Sequence, residues 1–321
     1  MNAPPQLLAA WLQAMQADDV SPLTHARYKG VGQRFLLWYE QAEGQPFSLP
    51  DLTPITLMSY RVHLQQQSAA ATVNVHLSAL RSWCKWLVNQ GHLAENPAHK
   101  LKLVKQVQTD APDSLTNTAI HALLRAAQKG RYGKRDYAIV QMLLQTGMRI
   151  GECQALFWQD ITLKQRSGLV LIRAGKGNKT RTVPLNSSAR AALAEYVAPT
   201  LDCEPKLKEV VKKWMPFQKQ YANSPFWVSQ KGNQLSSPAM WRVVNQLAKD
   251  CASRELVPAD MRPHDLRHTF AHNYLKQHPG DLIGLARLLG HESLNTTKIY
   301  TRLTVSELTK RVEQSPLNAY E

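Results

Sequence analysis

The chain has 321 residues, 44% of them hydrophobic and 20% charged, and its 39 Lys and Arg against 24 Asp and Glu give a formal charge of +15 and a pI near 9.7. This composition is enough to bury ordinary cores in about two domains and excludes wholesale disorder, while no apolar run approaches the roughly 18 residues of a membrane span. Residues 1–110 hold nine basic and seven acidic side chains and residues 111–321 hold 30 and 17, so +13 of the charge sits in the last two thirds, where a polyanion such as DNA, RNA or an anionic surface would be met.

Residues 4–97 read as a small all-helical unit. Over 21–41, Tyr28, Val31, Phe35 and Trp38 fall at helical spacing with Ser21 or Thr24 available as a cap. Thr53-Pro54 opens a shorter helix to about Leu64, proline being tolerated in a first turn. From about Ala71 to Gln90, Val73, Leu77, Leu80, Cys84 and Leu87 form one apolar stripe, with Asn74, Arg81 and Lys85 off it; Gly91 ends the helix and Pro97 turns the chain away. Four helices in this length predict a compact bundle.

Residues 98–114 are polar and basic, lack an apolar period and are broken by Pro112, so they read as an interdomain stretch. The first domain is assigned to 1–104, the linker to 105–114 and the second domain to 115–321. Lys100, Lys102 and Lys105 form either a solvated basic run or a strap along a DNA backbone. In the second domain helices are expected near 117–128 and 134–146. Residues 168–174 and 181–185 read as two strands joined by Gly175-Lys176-Gly177-Asn178-Lys179-Thr180, a hairpin with a glycine-rich tip. Beyond Ser187 the pattern is mainly helical, with a short strand at Phe226–Val228. The Lys-rich stretch Lys206 to Lys219, with Trp214, is either an insertion that contacts DNA or a neighbouring subunit, or a solvated amphipathic helix. The predicted class is therefore mainly α, a four-helix N-terminal domain followed by a helical domain with a small β-hairpin or sheet.

Cys84, Cys153, Cys203 and Cys251 make no Cys-x-x-Cys pair and read as reduced packing residues, not a zinc ribbon or disulfide framework. No charged n-region precedes Leu7–Trp11, so a secretory signal is not expected and a cytoplasmic address is.

Five segments concentrate side chains suited to phosphate chemistry. In Thr146-Gly147-Met148-Arg149-Ile150-Gly151-Glu152 a helix ends at Gly147 and Arg149 starts the next, where a guanidinium can grip two phosphate oxygens. Alone, Arg149 and Glu152 would be a surface ion pair worth under about 1 kcal/mol. Lys176, on the hairpin tip, can donate a proton to a leaving alkoxide. Arg262-Pro263-His264-Asp265-Leu266-Arg267-His268 opens a helix that projects His264 and Arg267 from one face of its first turn. His264 and His268 are also spaced like metal ligands, but the metalloprotease pattern needs Glu where Asp265 stands, so no metal is expected. His291 emerges from the turn after Gly290, and Tyr300 follows nine residues later within Thr296-Thr297-Lys298-Ile299-Tyr300-Thr301. Singly, each has an ordinary explanation as a turn, a cap or a packing residue. Together they supply cations for a phosphorane and an oxygen nucleophile.

These motifs, in this order, resemble those of the tyrosine recombinase (phage integrase-like) family. The matching elements are Gly147 to Glu152, Gly175 to Lys179, His264-Asp265-Leu266-Arg267-His268, Leu289-Gly290-His291 and Thr297 to Thr301. The N-terminal unit is similar to the family's core-binding (SAM-like) domain, so the resemblance covers nearly the whole chain, as an Xer-type, resolvase-like two-domain member. It implies a two-domain clamp on duplex DNA, with Arg149, Lys176, His264, Arg267, His291 and the nucleophile Tyr300 as the catalytic set and Glu152 in support. It implies no cofactor and no metal. Lys100, Lys102, Lys105, Lys179 and Arg181 are the DNA-binding candidates. The implied partners are double-stranded DNA bearing a recombination site and further copies of the chain, as a tetramer docked through a C-terminal tail at 305–321, with room for a partner recombinase or accessory protein; the implied setting is the bacterial nucleoid. Two other readings share much of this pattern, a type IB topoisomerase and a catalytically inactive DNA-binding regulator.

Overall fold

The computed structural model describes residues 4–18, 20, 22–105, 114–173, 180–291 and 297. The chain divides into two compact units, Met1–Thr109 and Asp110–Glu321.

The first unit is four helices, α1 Pro4–Ala17, α2 Pro22–Glu43, α3 Pro54–Gln67 and α4 Ala70–Asn89. The predicted stripe of α4 is buried as a whole, with Val73, Leu77, Leu80, Cys84 and Leu87 packed against Leu7, Leu8, Trp11, Val31 and Phe35. Thr53 caps α3 by accepting from the Thr56 backbone N–H at 3.1 Å, and Pro54 takes a first-turn position where its missing N–H costs nothing. Tyr60 Oη and His76 Nδ1 pair inside the core at 2.9 Å. Burial and the nearby Arg34 charge hold His76 down to about 4.

Residues 98–104, expected to belong to an aperiodic linker stretch, pack on this unit. Ala98 and Leu101 are buried, and Asn74 holds the backbone of Val104 from both sides: its Nδ2 donates to the Val104 carbonyl at 2.9 Å and its Oδ1 accepts from the Val104 N–H at 2.7 Å. No local period announces this, because a single side chain 30 residues back supplies the pairing that a helix or sheet would otherwise provide. Lys100, Lys102 and Lys105 alternate with these anchors and remain exposed.

The second unit begins with α5 Asn117–Lys129 and α6 Gly133–Thr146. The run Ala138 to Leu144 is buried on every side, as the central helix of a domain must be. A five-residue α7, Ile150–Gln154, leads to an antiparallel sheet of β1 Ile161–Leu163, β2 Gly168–Arg173 and β3 Thr180–Pro184 in the order β1-β2-β3. β1 escapes sequence reading because three residues carry no period. Then come α8 Ser187–Val197, α9 Leu207–Gln220, α10 Ser237–Ala252, α11 Pro263–Gln277 and α12 Leu282–Leu289. The strand expected at Phe226–Val228 is reduced to isolated bridges, Phe157 with Pro225 and Val228 with Gln234.

α9 realises the Lys206–Lys219 segment as an amphipathic helix. Val210 and Trp214 are fully buried, Trp214 lies 5.1 Å from Trp158, and Gln218 donates to the carbonyls of Trp158 and Ile161 at 2.7 and 2.6 Å. Its lysines face outward. Among the described residues no helix is long and apolar enough to cross a membrane, and the four cysteines are free.

Candidate active site

Two helix C-termini and two helix N-termini bring the described candidate residues together. Gly147 ends α6 and Gly290 ends α12, both left-handed at φ 62° and 66°. Neither position has room for a side chain. A Cβ on Gly147 would meet Phe270 Cδ1 at 2.3 Å, and one on Gly290 would meet Arg181 Nη1 at 2.7 Å.

The carbonyls left over at these ends are taken by arginines. Arg267, buried at 2% exposure, donates from Nη1 to the Gly147 carbonyl at 2.7 Å and from Nη2 to the Leu289 carbonyl at 2.8 Å. A guanidinium cannot lose its proton and must be hydrogen-bonded where it is buried; two helix ends with partial negative charge provide that. Its helix, α11, is started by Pro263 and by Asp265, whose carboxylate accepts from the Arg262 N–H at 2.7 Å. The Asp that breaks the metalloprotease pattern is thus a helix cap.

Arg149 precedes α7 and Glu152 sits at the third position of that helix. Glu152 accepts from the Arg149 backbone N–H at 2.8 Å and from Arg149 Nη1 at 2.9 Å. The same carboxylate receives Arg181, Nη1 to Oε1 at 3.0 Å and Nη2 to Oε2 at 2.6 Å. Burial works to raise the Glu152 pKa, but the hydrogen bonds from Arg181 and from the Arg149 N–H, with both guanidinium charges, outweigh it and hold the carboxyl below its ordinary value. The Arg149 side chain remains half exposed, at 49%.

His291 follows Gly290 and joins the cluster through both ring nitrogens. Nε2 lies 2.9 Å from Arg267 Nη2, and Nδ1 lies 2.8 Å from Thr297 Oγ1, a fully buried hydroxyl. Because a guanidinium only donates, Nε2 must accept, which places the single ring proton on Nδ1. Burial, then the charges of Arg267, Arg149 and Arg181, push His291 down to about 4, in keeping with a neutral ring. His264, at the rim of the site at the start of α11, is lowered by the partial desolvation of its ring and by Arg267 and Arg149, with Asp265 opposing. Its ring stands edge-on to His268 at 4.5 Å.

Arg149, Glu152, His264, Arg267 and His291 therefore converge. Lys176, Lys179 and Tyr300 lie outside the described residues. Arg181, expected at a DNA surface, is turned inward instead, 12% exposed and bound to Glu152, because it shares strand parity with the buried Val183. That alternation was present in the sequence. Thr297 carried no signal beyond its place in the fifth motif. A separate cleft of about 490 Å³ lined by Arg131, Tyr132, Arg135 and Tyr196 contains none of these residues. Among the described residues no cluster of three or more His, Cys, Asp and Glu could hold a metal ion.

The model of the Phage integrase family matches residues 113–307. A tyrosine recombinase XerC of Thermodesulfovibrio yellowstonii is 32% identical over 247 residues, 76% of this chain and 75% of that protein. A tyrosine recombinase XerC of Oceanobacillus iheyensis is 31% identical over 315 residues, 96% and 95% of the two chains. Among solved structures, the XerH site-specific recombinase bound to its difH substrate in a pre-cleavage complex shares the fold with a TM-score of 0.66 at 23% identity, over 98% of this chain and 85% of that one.

Proposed function

The chain belongs to the phage integrase family and is a site-specific tyrosine recombinase, and from that premise we propose that Tyr300 cleaves and rejoins duplex DNA with Arg149, Lys176, His264, Arg267 and His291 as its catalytic set. The observation that carries the assignment is the convergence of Arg149, His264, Arg267 and His291 from three helix ends, the starts of α7 and α11 and the end of α12, on one cationic spot. A free tyrosine titrates near pH 10, so attack at neutral pH needs cations that stabilise the phenolate and the developing phosphorane.

In this reading the phenol oxygen of Tyr300 attacks the scissile phosphorus while the bond to the 5′-oxygen breaks. Arg149 and Arg267 bear on the non-bridging oxygens, and His264 adds a hydrogen bond. Lys176 gives its proton to the leaving 5′-oxygen. His291, held neutral, receives the phenol proton on Nε2 as Arg267 Nη2 leaves that nitrogen for the phosphate, or supports a phosphate oxygen by giving up one of its two present partners. The 3′-phosphotyrosyl link retains the energy of the phosphodiester, so attack by a 5′-hydroxyl reverses the step and no nucleotide cofactor is consumed. The +13 charge of residues 111–321 supports duplex DNA as the substrate. The finer assignments follow the same reading: domains at 1–104 and 115–321 joined by 105–114, a tetramer on two duplexes docked through residues 305–321, and a place in the bacterial nucleoid.

The test is a nicked suicide duplex incubated with the protein in EDTA. A covalent adduct at the 3′-phosphate is expected, and Tyr300→Phe abolishes it. An adduct that survives this substitution, or one that demands a divalent metal, overturns the mechanism. A four-protomer synapse of two short duplexes tests the assembly separately.

A further inference from the structure

We infer that Arg181 is the positioning residue for Arg149, acting through Glu152 to hold the half-exposed guanidinium in the one orientation that can meet a scissile phosphate. The inference rests on the reading of Arg149 as a phosphate ligand. It begins from a weakness in the local structure. α7 has five residues, too few to be stable by itself, and an i, i+3 ion pair between Arg149 and Glu152 would leave both side chains to wander at the surface.

Arg181 removes that freedom from outside the helix. Its two terminal nitrogens take both oxygens of Glu152, at 3.0 and 2.6 Å, which fixes the plane of the carboxylate. The remaining acceptor sites of that carboxylate then point to the Arg149 N–H and to Arg149 Nη1, at 2.8 and 2.9 Å. Arg181 is itself anchored twice. Its backbone lies in β3, in register with Ile172 of β2, and its Nε donates to the Leu288 carbonyl near the end of α12 at 2.8 Å. One planar fork thus ties the return strand of the hairpin, the start of α7 and the helix that delivers His291. Lysine carries the charge but has neither the fork nor the Nε donor.

The experiment is a double-mutant cycle on single-turnover cleavage of the suicide duplex, with Arg149→Ala, Arg181→Met and the pair, and DNA affinity and thermal melting measured alongside. Arg181→Met is expected to slow cleavage by roughly 100-fold, the scale set by a misplaced catalytic group, with DNA affinity changed by less than about threefold. The double variant is expected to be no slower than Arg149→Ala. A merely structural contribution would instead multiply with Arg149→Ala, and that result overturns the inference. If Arg181→Met does not fold, Arg181→Lys enters the same cycle; a wild-type cleavage rate for it also overturns the inference. Wild-type cleavage by Arg149→Ala alone is a different failure, which removes the underlying reading of Arg149.

Discussion

In the folded chain Nε2 of His291 accepts a hydrogen bond from Nη2 of Arg267 at 2.9 Å, so the imidazole carries its proton on Nδ1 and gives it to Thr297. Thr297 stands three residues before Tyr300. The hydroxyl therefore links the tautomer of the histidine to the segment that bears the proposed nucleophile. Thr297→Val removes the hydroxyl that accepts from the part-buried Nδ1–H and so loosens the hold on the ring. The expected outcome is a cleavage rate roughly tenfold or more below wild type, near-normal DNA binding, and recovery in Thr297→Ser; single-turnover cleavage of the suicide duplex measures the rates, and a binding titration the affinity.

The same histidine gives a pH dependence. With His291 held near 4 by burial and by three guanidiniums, its acceptor role is intact at neutral pH and is lost as pH falls toward that value. Bound phosphate opposes the arginines and shifts the loss to higher pH. The cleavage rate of preformed complexes should accordingly fall on the acid side, with an apparent midpoint above about 4 in a pH series of single-turnover reactions.

Stability should move in the same direction in both units. His76 in the first unit, and His268 and His291 in the second, are each depressed to about 4, against roughly 6.5 in an unfolded chain. Between these values the unfolded chain binds more protons than the folded one, so stability falls as pH drops from about 6.5 toward 4 and changes little from these groups above 6.5. Urea unfolding midpoints measured from pH 7.5 to 4.5 should decline steadily, whereas carboxylates alone would confine the loss to the lower end.

Gly147→Ala is expected to damage both stability and the site. A left-handed backbone costs an alanine about 1–2 kcal/mol, and its Cβ would lie 2.3 Å from Phe270. The displaced carbonyl is one of the groups that hold Arg267. The unfolding midpoint of the second unit should drop by several degrees, and cleavage at a temperature where the variant is fully folded should still be slower than wild type.

Charge-neutralising Lys100, Lys102 and Lys105 together to glutamine separates their two readings. If they lie along a DNA backbone, the slope of log affinity against log salt flattens by about 0.9 for each phosphate that is no longer neutralised. If they are only solvated, the slope is unchanged. Since Asn74 fixes the backbone of Val104 between them, the substitutions should leave the fold intact, which circular dichroism checks.

The stripe of α4, the apolar run of α6 and the β2–β3 pairing were legible because local periodicity alone decides which face is buried. The motif order was legible too, and with it the family and its chemistry, since Arg149, His264, Arg267 and His291 are short-range signals. What local pattern could not decide was the partner of each charge. Arg181 read as a DNA-binding candidate, and only the folded strand shows that it is bound to Glu152; residues 98–104 looked aperiodic until Asn74 held them, and the lysines of α9 could be sorted from its core face only once Trp214 found Trp158. Each of these pairings joins residues far apart in sequence, and the burial that decides a charge's partner exists only after the chain has closed on itself.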